Sequence, residues 1–309
     1  MILPLALLFA FGGGFASILL VGRAAVAAGG SPFALVAAQT LISGVMMLVW
    51  CRATGRWPRL TPRLAVFFIG TAALGVSIPH IISFTILPTA GAGLTSLVYL
   101  LPPLMTYVFA LMAGLERADR VKWLAVILGV IGAGIALRSG LRQVADAPVI
   151  TIVLAVAIPT ALSVGNVYRT LAWPKGIDLM AFTAGLLTAG GLMSAGAALA
   201  VGAPLPFDSA RLVALLAVNV VLTAFSYISF ARLQILGGPV YLSQAGLVIA
   251  VIGIAGGVVI YDERVPIATI VGIVMVAAAL ALATWRQFAP VTAAPMLPGS
   301  SGPSGPSAV

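Results

Sequence analysis

The sequence predicts an all-α polytopic membrane protein: ten transmembrane helices, built as two inverted five-helix repeats, with both termini cytoplasmic. Three observations lead there. Of 309 residues, 61% are hydrophobic and only 7% charged, whereas soluble domains carry roughly 25% charged residues. Apolar runs of about 20 residues recur from residue 2 to residue 285, and that length crosses a hydrocarbon core of about 30 Å. Finally, the charged stretch MAGLERADRVKW at 112–123 has a fainter copy, VVIYDERVPIAT, at 258–269.

Gly, Pro and charge punctuate the apolar runs and delimit each span in turn. The first, 3–22, lacks a basic leader and is too long for a signal peptide, so it is read as retained. The next four are 32–50, 64–85, 90–113 and 121–138, and the last five are 148–168, 179–200, 211–232, 239–260 and 266–285. Most connections are short, so consecutive helices are antiparallel neighbours. The Pro/Gly/Ser-rich tail, 287–309, reads as disordered.

Orientation follows from the basic residues. With the N-terminus inside, eleven of the sixteen face the cytoplasm: Arg52, Arg56, Arg59, Arg63, Arg117, Arg120, Lys122, Arg169, Lys175, Arg232 and Arg286. Arg23, Arg138, Arg142, Arg211 and Arg264 face out. This is the positive-inside pattern, and it accounts for the net charge of +9 without nucleic acid as a partner. Trp50, Trp123, Trp173 and Trp285 fall at cytoplasmic span ends, where indoles anchor at the interface.

Glu116-Arg117 and Glu263-Arg264 lie 147 positions apart, as do Ser96 and Ser243, and Gly91 and Gly238. Further back the offset is 146, pairing Gly44 with Gly190, Gly30 with Gly176 and Arg23 with Arg169. The repeats are therefore 1–143 and 144–286. Five spans is an odd number, so the second copy enters the membrane upside down. Equivalent loops accordingly differ in charge: 51–63 holds four arginines, while 201–211 holds Asp208 and Arg211. Inverted repeats place a transporter's site near the midplane, between the halves.

Two stretches then carry a resemblance: AGAGLTSLVYLLPPLMTYVFALMAGLERADRVKWLAVILGVIGAGIAL (90–137) and YDERVPIATIVGIVMVAAALALA (261–283). A small-residue helix with Pro near its middle, then an acid at the next junction, resembles the ten-span EamA-type members of the drug/metabolite transporter superfamily. The segment VYLLPPL (98–104) is similar to the fourth helix of YddG-type aromatic amino-acid exporters, in which a Tyr and a Trp before the Pro line the cavity. This chain has Tyr99, with Leu101 where those exporters place Trp. The resemblance implies a small-metabolite exporter and leaves the metabolite open.

Polar groups within spans are the candidate substrate-binding residues. His80 is the one histidine, in the third span beside Pro79. A charge at that depth costs about 2.5–3.5 kcal/mol on insertion scales, and neutral imidazole less. It reads as lining a cavity, coupling protons, or bonding a neighbouring helix. Its repeat counterpart is Tyr227. Pro102-Pro103 interrupts backbone bonding in the fourth span, flanked by Tyr99 and Tyr107. Such a break is tolerated where protein or a cavity re-satisfies the backbone. Asn166, Asn219, Gln39 and Gln244 are span amides that serve as interhelical glue or contact substrate, with Gln244 and Tyr241 on the helix equivalent to that of Tyr99. The runs 129–137 and 189–199 are rich in Gly and Ala and read as packing surfaces.

What is missing bounds the chemistry. One His, one span-end cysteine (Cys51) and no acid inside a span exclude an intramembrane enzyme, a disulfide, a metal site and a cofactor. The seven acids map to loops or span ends, and no Lys or Arg is expected at the midplane. The expected cargo is therefore small and neutral or zwitterionic, such as an amino acid. The partners are this solute and the lipid bilayer of the plasma (inner) membrane, with the chain a monomer or weak dimer. A facilitator is favoured over obligatory proton exchange, His80 being the residue that would reverse this. A lipid flippase or scaffold is the alternative function.

Overall fold

The computed structural model describes residues 2–57, 60–117, 120–143 and 149–284. Among these, regular structure is entirely helical. The elements are α1 (Ile2–Ala27), α2 (Pro32–Ala53), α3 (Pro62–Ala72), α4 (Ile78–Leu97), α5 (Pro102–Met112) and α6 (Arg120–Gln143). There follow α7 (Val149–Ala172), α8 (Leu179–Ala200), α9 (Ala210–Ser243), α10 (Ala245–Tyr261) and α11 (Ile267–Thr284). A π-helical turn (Ala73–Ser77) joins α3 to α4, and a 3-10 turn (Val98–Leu100) lies between α4 and α5. The tail 287–309, Trp285, Arg286, Arg59, Asp119 and the repeat boundary at 143/144 fall wholly or partly outside the described residues.

Six helical stretches are long and apolar enough to cross a membrane: Leu3–Ala27, Pro32–Ala53, Pro62–Met112, Val149–Ala172, Leu179–Ala200 and Ala210–Ser243. Trp123–Arg138, Ala245–Tyr261 and Ile267–Leu282 are shorter apolar helices. The outer faces remain apolar, with Val221, Val259, Leu199 and Ile267 all more than 60% exposed. Apolar cover on this scale needs lipid, not water.

Helix starts follow the local chemistry. Pro32 and Pro62 sit in first turns, where a missing N–H leaves no bond unmade. The Thr61 hydroxyl accepts from the Leu64 N–H at 3.2 Å, and Ser209 accepts from Leu212 at 3.2 Å. The Asp178 carboxylate takes the Met180 and Ala181 N–H groups at 2.9 and 3.2 Å, satisfying orphan donors at the start of α8.

The structure departs from the predicted loops at two places. Between the third and fourth predicted spans the chain stays helical and turns at Gly91, with φ 72° and ψ 172°. Between the eighth and ninth it stays helical and turns at Gly238, with φ 67° and ψ −172°. This backbone region is essentially restricted to glycine, so one residue does the work of a loop.

Packing joins elements distant in sequence: α2 lies on α8, α6 on α11, and α1 on α9, α10 and α4. Small residues permit the contact. A Cβ on Gly191 would stand 2.5 Å from the Leu41 backbone, and one on Gly132 would stand 2.8 Å from the Gly272 carbonyl. The Gly/Ala runs at 129–137 and 189–199 do form packing surfaces.

Candidate functional site

Pro79 begins the construction of the site. It lacks the N–H that would reach the Gly75 carbonyl four residues back in an α-helix, and the chain passes this point as a π-helical turn. The Gly75 carbonyl instead accepts from the Tyr227 hydroxyl of α9 at 3.1 Å. Pro102 and Pro103, likewise without N–H groups, leave the Val98 and Tyr99 carbonyls without their α-helical donors further along. The Pro102 carbonyl accepts from Ser163 Oγ at 3.2 Å. Gly246 lies so close to the Tyr99 carbonyl that a Cβ there would stand 1.9 Å away.

Both irregular segments line a partly open cavity with about 430 Å3 of empty space, counted to its mouth. Phe11 and Phe15 of α1 line it together with Gly75, Tyr99 and Pro102. Asn166 of α7, Tyr227 and Phe230 of α9, and Ser243 and Gly246 complete it. The lining is largely apolar and includes five rings: Phe15 lies 5.1 Å from Tyr99, Phe11 lies 5.2 Å from Phe230, and Tyr227 lies 5.4 Å from Phe230, between ring centroids. Such rings make an apolar box whose hydroxyl tips give direction.

Proton accounting assigns those tips. Ser83 Oγ donates its one proton to the Pro79 carbonyl at 2.7 Å. Tyr99 Oη, 2.9 Å from Ser83 Oγ, is therefore the donor of that pair. Both tyrosines spend their proton on the wall and keep lone pairs. His80 is fully buried, with Nδ1 2.9 Å from the Val76 carbonyl. A carbonyl only accepts, so Nδ1 carries the proton and Nε2 of the neutral ring is a bare acceptor, without a partner. The ring stands behind the lining, 4.9 Å from Phe15 and 6.0 Å from Tyr227.

Arg169 corrects two expectations. It is fully buried inside the bundle rather than in an inside loop, because α7 runs to Ala172, beyond the expected span end at 168. The expectation of no Lys or Arg at the midplane is opposed by a guanidinium that reaches Gly75, midway along the third expected span. Its Nη2 donates to Asn166 Oδ1, and its guanidinium carbon lies 4.8 Å above the Phe230 ring. Asn166 is itself held by Thr106 Oγ1 at 3.3 Å. Nε and Nη1 have no hydrogen-bond partner.

The other candidates divide. Of the nine predicted residues, Tyr99, Pro102, Asn166 and Tyr227 line the central cavity, and His80 backs it. Tyr107 and Gln244 face a second cavity of about 340 Å3, together with Pro103. Tyr241 packs in the hydrophobic core, and Asn219 is buried in α9 with Oδ1 unpartnered. Neither lines these two cavities. Sequence reasoning missed Phe11, Phe15 and Phe230, which look like any lipid-facing phenylalanine in an apolar run.

At one end of the bundle Glu263 closes the Gly91 turn. Its Oε1 accepts from the Ala92 N–H at 2.8 Å and its Oε2 from the Gly93 N–H at 2.7 Å, and it pairs with Arg23. Arg23 lies 4.1 Å above the Tyr261 ring, whose hydroxyl donates to the Leu20 carbonyl at 2.6 Å. A carboxylate at the start of a helix is doubly placed, taking free N–H groups and the positive end of the dipole.

Residues 2–138 match the family model of the EamA-like transporter family. The match spans 137 of the 309 residues. By its description that family consists of transporters, and the chain is an integral, multi-pass membrane protein. A solved crystal structure shares the fold, with a TM-score of 0.58 at 22% identity, covering 88% of this chain and 96% of that one. A comparison with curated proteins finds no match.

Proposed function

We propose that this EamA-like chain is a secondary transporter exporting small metabolites such as amino acids across the inner membrane, by alternating access at the aromatic cavity. Ten transmembrane helices form two inverted repeats, 1–143 and 144–286, with both termini cytoplasmic. Pro62–Met112 has 51 residues and would measure roughly 75 Å if straight, over twice the core thickness. It therefore reads as two spans folded at Gly91. The shorter apolar helices complete the ten, the ninth beginning at Gly238.

Several pairs 147 positions apart support the repeat. Gly91 and Gly238 share one backbone conformation. Glu116 N–H bonds the Ala110 carbonyl at 3.3 Å, and Glu263 N–H bonds that of Gly257 at 3.1 Å. His80 and Tyr227 meet ring to ring, as residues near a two-fold axis do.

One observation carries the functional reading: the equivalent turns are in different states. The Glu263 carboxylate fills the space at Gly91, where a Cβ would stand 2.5 Å from Oε1, whereas among the described residues nothing lies within 4 Å of the corresponding point at Gly238. One turn is filled by a remote carboxylate and the other by no described residue, and exchanging these two surroundings between the repeats reverses access. In the proposed orientation the filled turn faces out.

Counterflow in proteoliposomes tests this, with unlabelled amino acids inside and one labelled amino acid at a time outside. Uptake that requires internal solute and falls at least tenfold in Tyr99→Ala and His80→Ala is expected. Folded protein with no counterflow for any amino acid moves the cargo to other metabolites and then to lipid.

A further inference from the structure

Arg169 is among the largest fully buried side chains of the protein. A cation inside an apolar bundle is expensive and is ordinarily matched by an acid or a full set of acceptors. Arg169 has neither: Asn166 takes one N–H, the Phe230 face backs the guanidinium, and Nε and Nη1 are unpartnered. Arg23, its counterpart in the repeat, shows the complete arrangement. That guanidinium also lies over an aromatic ring, and Glu263 supplies the anion. At Arg169 the ring is present and no ion pair is made.

We propose that the anion completing the Arg169 site is the cargo's own: a carboxylate of a small organic solute seated in the aromatic cavity. This rests on the transporter reading. Gly75, Asn166 and Phe230, which touch the guanidinium, all line the cavity. At Gly75 only a backbone without a Cβ lies between the cavity lining and the buried Nη1, and a Cβ there would stand 2.5 Å from Nη1. A carboxylate at the Gly75 wall meets Nη1, while Phe15, Tyr99 and Tyr227 hold the solute's apolar body. Among the described residues no Lys or Arg lines the cavity itself, so the guanidinium behind Gly75 is the charge offered to it, and the site neutralises one negative charge. The cargo class is a monocarboxylate, amino-acid zwitterions included. The buried charge also answers a question of economy: a residue kept for stability would not be left short of partners.

The test uses the purified full chain in detergent, with 3-phenylpropanoate against 3-phenylpropanamide and L-leucine against L-leucinamide, read by calorimetry and thermal melting. A carboxylate of at least one pair is expected to bind about 30-fold or more tightly than its amide, the order expected for a buried charge pair losing one partner. Arg169→Gln removes that preference and leaves amide binding within twofold, Arg169→Lys restores part of it, and Gly75→Ala weakens carboxylate binding without touching the charge. Without ligand, Arg169→Met melts no lower than wild type, since it removes an unmatched charge; a purely structural arginine would give the opposite. Equal binding of carboxylate and amide, no binding of either carboxylate, or an unchanged preference in Arg169→Gln overturns the proposal. Tyr99-dependent counterflow of a neutral solute alongside such a result sinks the carboxylate subsite and leaves the transporter standing. Carboxylate binding with no counterflow of any solute does the reverse.

Discussion

Gly91 and Gly238 bend the chain through the same dihedral angles, 147 residues apart, in opposite surroundings. At Gly91 a carboxylate from residue 263 occupies the angle, takes two backbone N–H groups and holds Arg23. At Gly238 no described residue fills the angle. The bend is therefore local chemistry, written by a residue without a Cβ, while the lock on it comes from a remote loop. A turn that glycine makes either way can be locked or released without changing its own conformation.

The largest effect is expected from Glu263→Ala. It strands the N–H groups of Ala92 and Gly93 and removes the partner of Arg23, so stability falls by about 2–4 kcal/mol, read by thermal melting. A melting temperature within a degree of wild type would mean the latch holds nothing. The two glycines sharpen the contrast directly. Both Gly91→Ala and Gly238→Ala carry the strain of a side chain at positive φ, about 1–3 kcal/mol. Only Gly91→Ala also drives a methyl into the Glu263 carboxylate, so it melts measurably lower; equal losses would erase the distinction. Tyr261→Phe is the smallest step. It keeps the ring beneath Arg23 and loses the bond to the Leu20 carbonyl, for about 1 kcal/mol.

Much of this was legible in the chain itself. Apolar length called for membrane helices, and Gly91 and Gly238 were already matched at one offset. Tyr99, Pro102 and Tyr227 were legible as cavity residues because a hydroxyl or a backbone break inside a span needs a reason. Gln244 and Tyr107 satisfied the same rule and face a different cavity, since polarity within a span says nothing about which face of the helix meets which neighbour.

Arg169 marks the limit most clearly. In the sequence it follows an apolar run and reads as a loop cation, because hydropathy assigns each residue a transfer free energy without a direction. An arginine near a helix end can extend its long stem outward to the interface or fold back into the bundle. The choice depends on Gly75 leaving room, Asn166 offering an oxygen and Phe230 offering a face. Those three lie on three different helical segments, so composition and spacing determined that this chain lives in a membrane as a bundle of helices. Only their meeting in three dimensions decided that its centre holds a positive charge.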